Sequence, residues 1–495
     1  MATNLLPRLF AIEAEAMRRD WRADPAQWGV ERLKETYWSK QRDAFAAVRD
    51  YRKVSIQSCH SVGKSFLAAR LAGWWLDIHP PGDAFVVTTA PTYRQVRSIL
   101  WREISRVQAK GLLGRTNQTE WLASMPNGKE ELVAIGFKPS DYDPTAFQGL
   151  HAENFLVLVD EACGIASGVL DSLESLAAND RSKLVYLGNP DDPDTEFFKL
   201  CSPGSGVHVI QIGAFDTPAF TGEEVPRKLL WSLIGRVYVE EKRKKWAPSW
   251  YWVDAAGARC EVAEGVRCVP PEGQDPADTN PLWQSKVLGL FPQKSSPDAL
   301  IPMSWIRAAQ QRELPPSEPN ELGVDVGGGG DANTIASRKG PVVRVIHEDQ
   351  NPNTMETCGN VVTARRKTGA TAVKIDKIGI GAGLVDKGKE DGEPFVGINV
   401  GEAAHDKEAF ANLRAELWWG VRERFEEGNA DIDPLDDDLA GELASLKFTR
   451  TSKGQVLIES KDQAKRRGIP SPNKADAVML AFAPIPEEQG GLLLW

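Results

Sequence analysis

At 495 residues the chain is too long for one ordinary core, so two to four folded units are expected. Its 42% hydrophobic and 26% charged residues exclude wholesale disorder, and a formal charge of −10 speaks against a dominant basic surface for nucleic acid. The charged opening, with Glu13, Glu15, Arg18 and Arg19, lacks the apolar run of a signal peptide, and no later stretch is apolar enough to span a bilayer.

The six cysteines, Cys59, Cys163, Cys201, Cys260, Cys268 and Cys358, are widely spaced and form no CxxC pair. Structural zinc and a disulfide framework are therefore not expected, which fits a reducing cytoplasm. The 16 tryptophans are scattered, as core and domain-contact residues would be.

After an N-terminal helical arm (1–35), residues 36–204 alternate short β-branched runs at 54–58, 84–89, 132–135, 155–159 and 183–187 with longer amphipathic stretches. Strands alternating with helices imply a largely parallel sheet covered on both faces. The first of these strands runs into Ser58-Cys59-His60-Ser61-Val62-Gly63-Lys64-Ser65, followed by a helical pattern at 66–76. This resembles a phosphate loop, in which backbone N–H groups curl around an anion at the positive end of a helix. Gly63 permits close backbone approach, Lys64 can reach the β- and γ-phosphates, and the Ser65 hydroxyl can ligate Mg²⁺. Ser58 stands where the motif usually has its first glycine, and His60 reads as loop filling.

The strand at 155–159 ends in Asp160-Glu161. Asp160 is placed to hold the Mg²⁺ shell and Glu161 to polarise an attacking water. Asn189, in Gly188-Asn189-Pro190, can sense the γ-phosphate, and Gln41, upstream of the loop, can read the adenine edge. No arginine lies in the loop, so a charge-stabilising finger would come from Arg94, Arg97 or Arg102, or from a neighbouring subunit.

Between 205 and 317 proline and tryptophan rise and periodicity blurs, which reads as a small linking domain closing in a proline-rich stretch. A second α/β block (318–484) has strands at 321–326, 334–338, 342–347 and 372–376. Helices are expected at 354–367, 405–426 and 473–483, with two short strands near 446–459. Its acids fall at telling places: Asp325 on the first strand, Asp376 ending the fourth, Asp476 on the last helix. That order is the ribonuclease H-like plan, in which converging carboxylates hold two cations that activate water and stabilise the leaving oxygen. Asp331, across a glycine-rich turn, either reaches the second metal or simply forms the turn.

The segment Gly379-Ile380-Gly381-Ala382-Gly383-Leu384 fails the dinucleotide spacing because its last position is leucine. The basic clusters Arg243-Lys244-Lys245, Arg365-Arg366-Lys367 and Lys465-Arg466-Arg467 read as DNA contacts or as solvated helix faces. The tail 485–495 ends in Gly490-Gly491-Leu492-Leu493-Leu494-Trp495, a partner hook or a frayed end.

In order, Lys40-Gln41, the 58–65 loop, Thr89-Ala90-Pro91-Thr92, Phe147-Gln148-Gly149, Val159-Asp160-Glu161-Ala162, Gly188-Asn189-Pro190, Gly323-Val324-Asp325, Ile375-Asp376 and the stretch 471–476 resemble the large subunit of tailed-bacteriophage terminase. The stretch 283–292 is similar to the one such proteins carry between motor and nuclease. The resemblance implies an ASCE-type P-loop ATPase, a linker subdomain and a ribonuclease H-like nuclease. It assigns Lys64, Ser65, Asp160 and Glu161 to ATP hydrolysis, Asn189 to coupling, and Asp325, Asp376 and Asp476 to nuclease metals, Mg²⁺ or Mn²⁺. It also implies ATP-driven movement of double-stranded DNA into a procapsid in the host cytoplasm. The implied partners are a small terminase subunit, a portal protein and further copies in a ring, commonly of five. Two alternatives are a helicase or remodeller with a non-cutting second block, and a transposase-like strand-transfer enzyme using the same metals.

Overall fold

Runs of β-branched and aromatic residues become buried strands flanked by helices, and the chain folds as two α/β units. The computed structural model describes residues 5–125, 128–138, 152–273, 280–292, 298–466 and 469–485; Phe147-Gln148-Gly149, Arg467 and the segment 490–495 lie outside them. One unit is Met1–Lys244 with Ser249–Lys294, the other Lys245–Pro248 with Ser295–Trp495, so the stretch 205–317 contributes to both.

The first unit is built on an eight-stranded sheet of β1 (Lys53–Ser58), β2 (Ala84–Thr89), β3 (Arg115–Asn117), β4 (Glu120–Ser124), β5 (Glu130–Phe137), β6 (Asn154–Val159), β7 (Lys183–Gly188) and β8 (His208–Ile212). The order is β3-β4-β5-β2-β6-β7-β1-β8. The strands from β5 to β8 in this order are parallel, and β3 and β4 add an antiparallel edge. Burial on both faces explains why β2 and β6 read as continuous apolar runs without alternation. The core beside β6 gathers Val157, Val159, Leu184, Tyr186 and Phe197. A two-stranded ribbon, β9 (Tyr251–Val253) with β10 (Arg267–Val269), belongs to the same unit.

The second unit holds a five-stranded sheet of β11 (Asn320–Asp325), β12 (Asn333–Lys339), β13 (Val342–Asp349), β14 (Ala372–Asp376) and β15 (Phe395–Ile398), in the order β13-β12-β11-β14-β15. The first three strands are antiparallel, while β11, β14 and β15 are parallel, which is the ribonuclease H-like arrangement. A short pair, β16 (Phe448–Arg450) with β17 (Val456–Ile458), lies late in the chain. The helix expected at 405–426 begins only at Leu413, because the Asn412 side chain accepts the Ala415 N–H at 2.9 Å and starts it there.

The helix Asn473–Phe482 packs directly on the backbone of β11. A Cβ at Gly323 would lie 2.2 Å from both the Ala477 carbonyl oxygen and the Ala481 nitrogen. Both are backbone atoms that cannot swing aside, so only glycine admits this approach. Gly323→Ala is expected to destabilise the second unit by about 2 kcal/mol, in the range of overpacked cores, measurable as a lowered urea midpoint of its unfolding transition. An unchanged midpoint would contradict the packing described.

Candidate active sites

The phosphate-loop segment lies where its strand and helix meet. β1 ends at Ser58, and the helix Lys64–Asp77 starts after Gly63, whose φ of +88° is left-handed. Two loop amides are tied outward: Cys59 N–H donates to the Ile212 carbonyl at 2.8 Å and His60 N–H to the Lys286 carbonyl at 3.1 Å. Burial pushes the Cys59 thiol up to about 12, so it stays a neutral filler. Val62 is buried and Ser61 exposed.

Asn189 braces the loop from the end of β7. Its Nδ2 donates to the Ser58 carbonyl at 2.7 Å, while its Oδ1 accepts from Lys64 Nζ at 3.0 Å. One buried amide thus joins the first residue of the loop to its lysine. Ser65 Oγ donates to Asp160 Oδ2 at 2.7 Å, and Asp160 Oδ1 accepts the Glu161 N–H at 3.2 Å. Burial, then the charge of Glu161, raises Asp160 to about 6, against the opposing pull of Ser65 and Lys64. Glu161 takes a φ of +51°, a conformation residues with side chains seldom adopt.

Gln41 is buried beside the loop, its Nε2 2.9 Å from where a Gly63 Cβ would stand, and its Oε1 has no hydrogen-bond partner. The buried Ser58 Oγ is likewise unpartnered. Unmet polar atoms beside a lysine, a hydroxyl and a carboxylate fit a nucleotide with its Mg²⁺. Arg94, Arg97 and Arg102 are all exposed.

The second cluster follows from sheet topology. Parallel neighbours β11 and β14 end at the same edge, and they end in Asp325 and Asp376. Asp476 comes from the first turn of the helix packed on Gly323. Burial, then the charges of Asp476, Asp376 and Asp331, raises Asp325 to about 7, with Lys461 opposing. Burial chiefly raises Asp376 as well, and its Oδ1 accepts the Ile378 N–H at 3.0 Å. Asp331 sits in the turn after β11, its carbonyl crowding the Cβ position of Gly327, and of the named acids its charge weighs least on Asp325.

Sequence reasoning missed Lys461 and Glu442. Lys461 Nζ lies 3.0 Å from Asp476 Oδ2. Burial opposes its charge, but Asp476 and Asp325 hold it above the ordinary lysine range. Glu442, raised to about 8 by burial, accepts the Ala475 N–H at 3.0 Å and caps the helix beneath Asp476. Lys461 sits in a polar stretch, and Glu442 lies among buried Leu439, Ala440 and Leu443 on the helix Asp437–Ser445.

Among the described residues, no set of three or more His, Cys, Asp or Glu is arranged to hold a metal ion as it stands; the Lys461 ammonium sits against Asp476 instead. The donor chemistry still fits hard divalent cations, since the cluster is all carboxylate oxygen and its acids outnumber its one lysine. Of the basic clusters, Arg243 and Lys244 pair with Glu240, Lys245 with Asp438, and Arg365 and Arg366 with Glu393. All six cysteines are free. No helix among the described residues is long and apolar enough to cross a membrane.

The chain matches no family model and no curated protein. It is similar to solved structures at low identity. One is the large terminase of a thermophilic bacteriophage in complex with ADP: 11% identity, 90% of this chain, 98% of that one, TM-score 0.38. Another is a mutant nuclease domain of the large terminase subunit gp2 of bacterial virus Sf6 with manganese: 22% identity, 38% of this chain, 99% of that one, TM-score 0.35. A third is the large terminase nuclease of thermophilic phage G20c: 13% identity, 37% of this chain, 97% of that one, TM-score 0.29.

Proposed function

We propose that this chain is the large subunit of a tailed-phage terminase, an ATP-driven motor that moves double-stranded DNA into a procapsid and cuts the concatemer before and after filling. The observation that carries the reading is that one chain holds two differently built acidic sites. One is a phosphate loop with a serine–aspartate pair; the other is a buried carboxylate cluster at the edge of a ribonuclease H-like sheet. A helicase or remodeller has no use for the second site, and strand transfer needs no phosphate loop.

In the first site, the remaining loop amides and the Lys64 ammonium receive the phosphates of ATP, and Gln41 meets the base. Ser65 and Asp160 would hold Mg²⁺, which when bound would supply charge neutralisation on the phosphates. Glu161 orients and deprotonates the attacking water. Asn189 is positioned to couple the steps: Lys64 cannot swing fully to the phosphates without loosening the amide that also grips Ser58. An arginine from Arg94, Arg97, Arg102 or another copy completes the charge balance.

In the second site Asp325, Asp376 and Asp476, with Asp331 nearby, would hold Mg²⁺ or Mn²⁺, which supply an activated water and stabilise the leaving oxygen. Lys461 neutralises part of the cluster and must yield ground when divalent ions enter. The proposed partners are a small terminase subunit that selects the genome, the portal protein and further copies in a ring of about five on the procapsid, in the host cytoplasm.

Glu161→Gln is expected to lower ATP turnover at least about 100-fold, as loss of a general base does, while retaining nucleotide binding and plasmid cutting; near-normal turnover would remove its role. Asp376→Asn is expected to abolish Mn²⁺-dependent plasmid nicking and leave ATP hydrolysis intact. Retained nicking would remove the nuclease reading.

Asp325 titrates above the ordinary aspartate value of about 4, so between roughly pH 4 and 7 the folded chain keeps a proton that the unfolded chain has released. The stability from this group is therefore lost as pH rises through that window. In chelator, calorimetry is expected to show the second unit's melting temperature falling from pH 5 to 8, and Asp325→Asn flattening the slope; an equally steep slope in the variant would contradict this.

A further inference from the structure

We propose that Lys374 is a positioning residue for the carboxylate site, setting the register of the helix that carries Asp476; this rests on the nuclease reading above. Lys374 lies in β14, two residues before Asp376, and is 1% exposed. Its Nζ donates to Glu321 Oε2 at 2.6 Å, to the Ala481 carbonyl at 3.0 Å and to the Ala483 carbonyl. Arg338, from β12, donates to the same Glu321 oxygen at 3.2 Å and to the Ala481 carbonyl at 3.3 Å. Three adjacent strands thus each send one charged side chain to a buried knot under the end of the helix Asn473–Phe482.

The last carbonyls of a helix have no partner within it, and a cation there meets both their lone pairs and the negative end of the helix dipole. A buried lysine is nonetheless a poor choice for stability alone, since well-packed apolar residues often replace buried ion pairs at no loss. What the ionic knot adds is direction. An apolar contact at Ala481 tolerates sliding and rotation; an ammonium bonded to two named carbonyls and one carboxylate does not.

The helix transmits that restraint. Asp476 lies five residues before Ala481, about 7.5 Å along the axis at 1.5 Å per residue. The helix lies against bare backbone at Gly323, so restraint on its rotation comes from polar contacts at its ends: Lys474 with Asp436 and Glu348 near the start, Lys374 and Arg338 at the finish. Turning it by about 30° would carry a carboxylate about 5–6 Å from the axis roughly 3 Å sideways, enough to remove Asp476 from Asp325. At the other end Glu442 holds the Ala475 N–H. The helix is therefore fixed at both termini by side chains from other elements, the Glu442 carboxyl at its start and Lys374 with Arg338 at its end, and Lys374 is the one on the strand that ends in Asp376.

The test compares the full-length wild type, Lys374→Met and Arg338→Met in three assays: plasmid nicking against Mn²⁺ concentration, ATP hydrolysis, and hydrogen exchange of the peptide spanning Asn473–Phe482. Lys374→Met is expected to need about tenfold more Mn²⁺ for half-maximal nicking, the size of effect seen when partners behind metal ligands are lost. Its nicking rate at saturating metal should recover most of the wild-type value, its ATP turnover should be unchanged, and exchange at residues 475–478 should quicken. Arg338→Met should shift both readouts in the same direction by a smaller factor, and it decides the matter if Lys374→Met does not fold. Unaltered Mn²⁺ dependence and exchange in the variants, or equal loss of nicking at every metal concentration, would overturn the proposal. If the wild type fails to nick at all, the nuclease reading falls, and the exchange measurement alone decides whether Lys374 sets the helix.

Discussion

Buried like charges repel unless something of opposite sign joins them, and the second unit is organised around that constraint. Sheet topology forces Asp325 and Asp376 to one edge because their strands are parallel neighbours, and a helix lying on Gly323 brings Asp476 across them. The result is an aspartate that holds its proton to about pH 7 and a lysine, Lys461, drawn against Asp476. One ammonium cannot balance three or four carboxylates. In the proposed reading the same imbalance would give the site its affinity for divalent cations and its cost in stability.

The first unit meets the same constraint with less charge. Asp160 is buried next to Glu161 and raised to about 6, and Ser65 and Lys64 are the groups that relieve it. Asn189 adds a brace that is neutral yet directional, gripping the strand end of the loop and the lysine at once. In both units, then, an acidic residue of the site is held by a partner from a different element, Asp160 by Ser65 in the first and Asp476 by Lys461 in the second. In both, that partner is a group the chemistry would require to move.

Much of this was legible in the sequence because parallel, doubly covered strands are written as unbroken apolar runs. Strands β1, β2, β5, β6, β7, β11 and β14 fall where such runs predict them, the antiparallel β12 and β13 also fall in their expected ranges, and Asp160, Asp325 and Asp376 follow at strand ends. What was not legible has a physical pattern. The β3–β4 hairpin is half exposed and short, and β15 is four residues with a glycine inside, so neither leaves a periodic signal. Lys461 sits in a charged stretch that local reading assigns to solvent, and only the tertiary fold brings it against Asp476. The basic clusters, read as DNA contacts or solvated helix faces, are partly neutralised: Arg243, Lys244, Lys245, Arg365 and Arg366 pair with carboxylates. Lys374 is the sharpest case, a lysine inside a buried strand whose partners include a helix end 107 residues further along the chain.

The central claim is that Asp325, Asp376 and Asp476 form a divalent-metal site despite the lysine now lodged among them. Anomalous diffraction at the manganese edge from crystals of the full-length chain soaked in Mn²⁺ tests it most directly. The account expects anomalous peaks among the three carboxylates, with Lys461 displaced from Asp476. Crystals that show Mn²⁺ elsewhere on the chain, with Lys461 still paired to Asp476, would contradict it.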